Sequence, residues 1–154
     1  MSGGKERAFV VEGKMALPYQ YFAGTVGSKF LVALRDEKKI LGIRCKKCSK
    51  VLFPPRLICP SCRSREFEPT HLNDTGKIET FTVIRVAASS FVDQAPYLVA
   101  IVNLGDGIRI LCQVADCEPD ELKIGMPVCL EFRKIQQEGE DGIICYGYKC
   151  IPKL

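Results

Sequence analysis

From Lys77 onward, short apolar runs rich in β-branched and aromatic residues are separated by glycine-rich and acidic turns. Such runs, bounded by turn residues, read as strands. There are five: Lys77 to Ala88, Tyr97 to Leu104, Ile108 to Ala115, Val128 to Ile135 and Ile143 to Ile151. Gly105-Asp106-Gly107 predicts a hairpin turn, since residues that tolerate positive φ are what tight hairpins require. Glu138-Gly139-Glu140-Asp141-Gly142 predicts another turn, Ser89 to Ala95 a loop, and Pro119 to Ile124 one helical turn ended by Gly125. Five antiparallel strands with a short helix between the third and fourth match an OB-type barrel. Closure would hide the apolar edges that so short a sheet otherwise exposes.

Upstream the period changes. Residues 1–16 show no strong periodicity and read as a tail. Pro18 to Lys39 turns helical, with the aromatic cluster Tyr19, Tyr21 and Phe22, then Phe30, Leu31 and Leu34 before a charged stretch. Gly24 and Gly27 break the pattern, so two short helices are predicted, over residues 18–24 and 28–37, with Ser28 as N-cap of the second. Their apolar faces suit packing on the rest of the chain or docking to a partner. Leu41-Gly42-Ile43-Arg44 then enters as a strand, and Pro54-Pro55-Arg56 forms a stiff extended turn. The expected organisation is a tail with docking helices over 1–39, a rubredoxin-like zinc ribbon over 40–70 and an OB-fold over 71–154. The fold class is mainly β.

The ribbon assignment rests on two knuckles, Cys45-Lys46-Lys47-Cys48 and Cys59-Pro60-Ser61-Cys62. Each Cys-x-x-Cys pair lets two thiolates converge while backbone amides point at the sulfurs. Two pairs ten residues apart can close a tetrahedral sulfur site, the geometry and softness that Zn²⁺ prefers. All four corners are protein ligands, so the site reads as structural and not catalytic. The alternatives are a reduced thiol cluster or a redox pair. Of the nine cysteines, five remain: Cys112, Cys117, Cys129, Cys145 and Cys150. All but Cys117 sit inside β-like runs, where cysteine behaves as a small hydrophobe.

Composition narrows the function. A hydrophobic content of 47% with 26% charged residues is that of a globular chain. No apolar run reaches the ~20 residues that span a bilayer, and the N-terminus lacks the apolar core of a signal peptide. A cytoplasmic protein without a membrane span is expected. The net charge is +4, but it is uneven: half of the 22 lysines and arginines lie between Lys29 and Arg65, opposed there by Asp36 and Glu37 alone. Such a surface suits phosphate groups, or is simply a solvated face. Nucleophile elbow, Walker loop and dinucleotide fingerprint are all missing, and the sole histidine, His71, leaves little material for Cys–His chemistry. Asp36-Glu37 and the Glu138 to Asp141 cluster read as solvated turns. Binding or scaffolding therefore leads over catalysis. One binding reading is single-stranded nucleic acid, which OB-folds hold by aromatic stacking and a basic groove. Strand aromatics are sparse here: Phe81, Tyr97, Phe132, Tyr146 and Tyr148.

A second reading comes from likeness. The order Cys45-x-x-Cys48, Phe53-Pro54-Pro55-Arg56, Cys59-Pro60-x-Cys62, Gly76, Thr80-Phe81-Thr82, Pro96-Tyr97, Gly107 and Gly125-Met126-Pro127-Val128 resembles the zinc-ribbon/OB-fold proteins associated with acyl-CoA enzymes, long filed as a domain of unknown function. Leu17-Pro18-Tyr19-x-Tyr21 and Gly42-Ile43-Arg44-Cys45 fit too, so the likeness covers roughly residues 17–152. It implies a non-catalytic accessory subunit of a thiolase-fold enzyme, in a hetero-oligomer. Partners in the family are thiolases (the benzoylsuccinyl-CoA thiolase of aromatic degradation among them), thiolase/hydroxymethylglutaryl-CoA synthase assemblies and steroid side-chain aldolases. It further implies that the chain helps to bind CoA or acyl-CoA and orders the partner's active-site entrance, with no nucleic acid involved. Lys46, Lys47 and Arg56 would meet the CoA phosphates. Phe53 and Pro55 would flank adenine or pantetheine, or else pack the ribbon. The family often has glycine after the second cysteine of each knuckle, where this chain has Ser49 and Arg63, a change expected to alter the turns.

Overall fold

The structure is a computed structural model that describes residues 24–137, 139 and 142–153. Helix α1 (Gly24–Asp36) leads into strand β1 (Leu41–Cys45), which lies at the centre of a three-stranded antiparallel sheet between β2 (Val51–Leu52) and β3 (Phe67–His71). Strands β4 (Thr75–Ile84), β5 (Tyr97–Gly105), β6 (Ile108–Val114), β7 (Pro127–Gln137) and β8 (Ile144–Pro152) close a barrel in the order β4-β5-β6-β8-β7. The fold is therefore mainly β, a ribbon sheet joined to a five-stranded barrel. Among the described residues no helix is long and apolar enough to cross a membrane.

Alternation sets the barrel interior. Along β5, Leu98, Ala100, Val102 and Leu104 all point inward, and they meet Ile78, Val128, Leu130 and Cys150 from the neighbouring strands. The β5–β6 turn follows its composition: Asp106 and Gly107 have φ of 51° and 74°, the double positive-φ geometry of the tightest hairpins. Gly76 marks a close approach of backbones. A Cβ there would overlap the Asn103 carbonyl oxygen and stand 2.8 Å from Val102 Cγ1.

Four expectations need correction. The predicted second helix is one helix from Gly24, so Ser28 lies inside it and does not cap it. Gly24 and Gly27 cost helix propensity, about 1 kcal/mol each, and packing outweighs this: Ala33 is buried and Phe30 packs on the barrel core. The predicted helix over 18–24 lies essentially outside the described residues, as do Glu138, Glu140 and Asp141. Pro119 to Ile124 is a turn and not a helix. Glu121 N–H donates to the Glu118 carbonyl and the Glu121 carboxylate accepts from Glu118 N–H, both at 3.1 Å, so donors are satisfied locally while Leu122 plugs the barrel. Not all strand pairs are antiparallel: β6 and β8 run parallel, with Gln113 opposite Lys149 and Val114 opposite Cys150. An odd number of strands cannot alternate all the way round a closed ring, so one pair must be parallel. Finally, Cys145 is exposed, unlike the buried Cys112 and Cys150.

The ribbon has a small buried cluster of its own, Ile43, Cys45, Leu52 and Cys59, and the barrel's core reaches into it. Ile40 and Val51, at the two ends of the β1–β2 excursion, belong to the barrel's buried cluster, and Phe30, Phe53 and Leu72 pack against it. Leu72 N–H donates to the Ile40 carbonyl at 3.0 Å, tying the entry of β1 to the exit of β3.

Candidate metal centre and adjoining groove

The two knuckles are local repeats of one backbone design. Cys45 N–H donates to the Lys50 carbonyl and Ser49 N–H to the Cys45 carbonyl, at 2.9 and 2.8 Å. In the second knuckle Cys59 N–H donates to Ser64 and Arg63 N–H to Cys59, both at 2.9 Å. Lys50 Nζ reaches Ser61 Oγ at 3.0 Å and links the knuckles. β1 delivers Cys45 and the loops deliver Cys48, Cys59 and Cys62. The four sulfurs all lie within 4.8 Å of one another, with Cys45 to Cys62 at 3.5 Å and Cys48 to Cys59 at 3.6 Å. A tetrahedron with Zn–S bonds of about 2.3 Å has sulfur edges of about 3.8 Å, so this set fits Zn²⁺.

The surroundings also suit thiolates. Burial pushes the Cys45 thiol up, but the Cys48 and Lys47 amides and the Cys62 and Cys48 thiols outweigh it and bring Cys45 down to about 6. The Cys62 amide leads the forces that lower Cys59. At Cys62 the Ser64 amide pulls down, yet burial and the other three thiols win and hold it at about 12. Sulfurs this close compete for negative charge. A divalent cation at their centre resolves that competition.

Ser49 and Arg63, which follow the second cysteine of each knuckle, have φ of 59° and 58°. This left-handed region strains any residue with a Cβ. Ser49→Gly and Arg63→Gly are each expected to stabilise the zinc-loaded chain by about 1 kcal/mol, read as a rise in thermal midpoint. An unchanged or lower midpoint in both would count against this view of the turns.

Beside the knuckles lies a groove of about 230 Å³ between α1, β1, β3 and the segment after Pro54. Leu41, Ile43, Pro55, Leu57, Phe67 and Pro69 make it apolar, while Lys29, Arg56, Arg65 and Glu68 supply its charge. The CoA-binding residues predicted from sequence are thus divided. Pro55 and Arg56 line the groove. Lys46 and Lys47 are exposed on the first knuckle and do not line it. Phe53 packs edge-on against Phe30, with ring centroids 5.8 Å apart, and joins the barrel core. Lys29, Leu57 and Arg65 were missed as groove residues. Their one signal was membership of the basic stretch for the two cations, and Leu57's position after Pro-Pro-Arg carried none.

Comparison with known proteins agrees with this architecture. Residues 33–68 match the ChsH2 rubredoxin-like zinc ribbon domain, and residues 70–133 the ChsH2 C-terminal OB-fold domain. A DUF35 domain-containing scaffold protein of Methanocaldococcus jannaschii is 46% identical over 120 residues, spanning 77% of this chain and 85% of that protein. The benzoylsuccinyl-CoA thiolase subunit BbsA of Thauera aromatica is 31% identical over 112 residues, 70% of this chain and 72% of that one. Among solved structures, a chain of the Ltp2-ChsH2(DUF35) aldolase superposes with a TM-score of 0.66 at 25% identity, covering 81% of this chain and 92% of that chain. The chain is a member of the DUF35 family, built from a ChsH2-type zinc ribbon and OB-fold.

Proposed function

We propose that this chain is a non-catalytic accessory subunit of a thiolase-type acyl-CoA enzyme, with a structural Zn²⁺ held by Cys45, Cys48, Cys59 and Cys62. In this reading the chain forms a hetero-oligomer with a thiolase-fold partner in the cytoplasm, orders the partner's active-site entrance and contributes part of the CoA site. The observation that carries it is the groove beside the ribbon: an apolar floor flanked by Lys29, Arg56 and Arg65, in a chain whose relatives include a named thiolase subunit. CoA has the matching chemistry, a long weakly polar arm ending in phosphates, and guanidinium groups pair with phosphate in bidentate fashion. Pro55 and Leu57 would pack the arm, Arg56 and Arg65 would meet the phosphates, and the reacting groups would come from the partner. The single-strand reading has less support, because Phe81, Tyr97, Phe132 and Tyr148 are half-buried and Tyr146 alone of the five strand aromatics is largely exposed. One exposed ring is a small platform for successive bases.

The test has two parts. Capture of the tagged chain from its native lysate is expected to bring down a stoichiometric thiolase-fold enzyme, identified by mass spectrometry. In the recovered complex, Arg56→Ala and Arg65→Ala are each expected to weaken CoA about tenfold, the loss of one charge-assisted pair. Recovery of nucleic acid, or of the chain with no such enzyme, would sink the accessory-subunit reading. Unchanged CoA affinity in both variants would sink the groove's part in it.

A further inference from the structure

From Ile40 to Arg65 the chain carries seven lysines and arginines and no carboxylate. The groove takes up Arg56 and Arg65 and leaves the cations of the knuckles without a task. Two of these are held in place by hydrogen bonds. Arg44, half-buried on β1 just before Cys45, donates from Nη1 to the Ser49 carbonyl at 3.2 Å, which fastens its guanidinium to the turn that follows Cys48. Lys50 reaches from the first knuckle to the second, where Nζ donates at 3.0 Å to the hydroxyl of Ser61, a residue between Cys59 and Cys62. Each knuckle thus has one cationic group fastened across its turn.

Neither charge is paired. Among the described residues Arg44 and Lys50 form no salt bridge. The ribbon's own acids, Glu66 and Glu68, are exposed at its exit, and Glu68 stands opposite Arg44 in the β1–β3 register without pairing with it. The charge that needs an opposite lies between the knuckles. Four thiolates on one divalent cation carry two net negative charges, and two of the four ligands, Cys45 and Cys59, are fully buried. An anion shielded from water is costly unless positive charge lies near it. Cations that serve only to solvate a face gain nothing from being fastened, since ordering a long side chain costs entropy.

The geometry points to Arg44 and Lys50 as positioning residues of the metal centre, one over each knuckle, which offset the net charge of the zinc tetrathiolate and so tighten its hold on the metal. This rests on zinc occupying the four cysteines and is independent of the CoA groove.

The test is the zinc affinity of the full-length chain, measured by competition with a chromophoric chelator at low and at high salt. At about 10 mM salt, where charges interact over roughly 30 Å, Lys50→Gln and Arg44→Gln are each expected to bind zinc about fivefold more weakly than the unsubstituted chain. At about 1 M salt, where screening shortens that reach to roughly 3 Å, the gap should close. A variant that merely disturbs the turn would keep its gap at both. Lys50→Arg and Arg44→Lys retain the charge and are expected to stay within about twofold of the unsubstituted chain. Lys123→Gln, on the exposed turn before β7, should match it throughout. Two positions guard against one variant failing to fold. Less than one zinc per unsubstituted chain would sink the zinc assignment and this proposal with it. One tightly held zinc with no gap in either glutamine variant, a gap that survives high salt, or an equal loss in the charge-retaining variants would overturn the proposal alone.

Discussion

Serine at Cys59 is expected to cost the protein its zinc and the order of its ribbon. Cys59 is fully buried, and its sulfur sits 3.6 Å from that of Cys48. A hydroxyl there neither ionises at neutral pH nor matches the softness of Zn²⁺. Structural zinc contributes roughly 10–16 kcal/mol of apparent binding free energy in small zinc modules, as much as the whole stability of an ordinary domain, about 5–15 kcal/mol. Losing one ligand forfeits a large part of it. The damage is expected to spread, because Ile40 and Val51 at the edges of the ribbon belong to the barrel core. Metal content by mass spectrometry, the cooperative unfolding transition and capture of the proposed thiolase-fold partner should all fall together. A chelator should produce the same state in the unsubstituted chain, and acid should do so more gradually as protons compete for the four sulfurs. Retention of one zinc per chain in the variant, or an unchanged unfolding transition in the chelated protein, would overturn the structural role.

Alanine at Gly76 is the second large effect. The added methyl would overlap the Asn103 carbonyl oxygen and press on Val102, and both neighbours are fixed, one as backbone and one as a fully buried side chain. Neither can swing aside, so β4 must move away from β5. Overpacking of this kind costs about 3 kcal/mol, with the β4–β7 pairing of Gly76 and Val128 lost as well. Urea unfolding of the zinc-loaded chain would show a lower midpoint with unchanged zinc content. A midpoint within error of the parent would mean that the strands yield more easily than their packing indicates.

What could be read from the chain follows a physical divide. The knuckles were legible because ligand spacing is local: two residues between cysteines are enough to aim two sulfurs at one point. Strand β5 was legible as a short, nearly all-apolar run with three β-branched residues, Val99, Ile101 and Val102, bounded by Pro96 and Gly105. The start of α1 was not, since Gly24 and Gly27 look like breakers until the packing of Ala33 and Phe30 is known. The 3₁₀ turn Ser89–Gln94 buries no residue of its own, so it left no apolar signature, and it read only as a loop. Site residues divided the same way. Phe53 and Arg56 are three apart, yet one enters the barrel core and the other lines the groove. Arg65 and Lys29 come to the same groove across more than thirty residues. That convergence is tertiary, and no local pattern encodes it.

The parallel contact of β6 with β8 has a kinetic consequence. β4, β5 and β6 form a meander of neighbours in sequence, and β7 with β8 forms a long hairpin whose register runs from Val128–Pro152 to Gln137–Ile144. Two short seams hold these halves together, Thr75 to Lys77 against β7 on one side and Gln113–Val114 against Lys149–Cys150 on the other. Both seams join residues far apart in the chain, so closing them carries the larger loop entropy. The halves can therefore assemble early and the ring close last. The same seams should be where the native barrel opens first, and their amides the ones that exchange with solvent soonest.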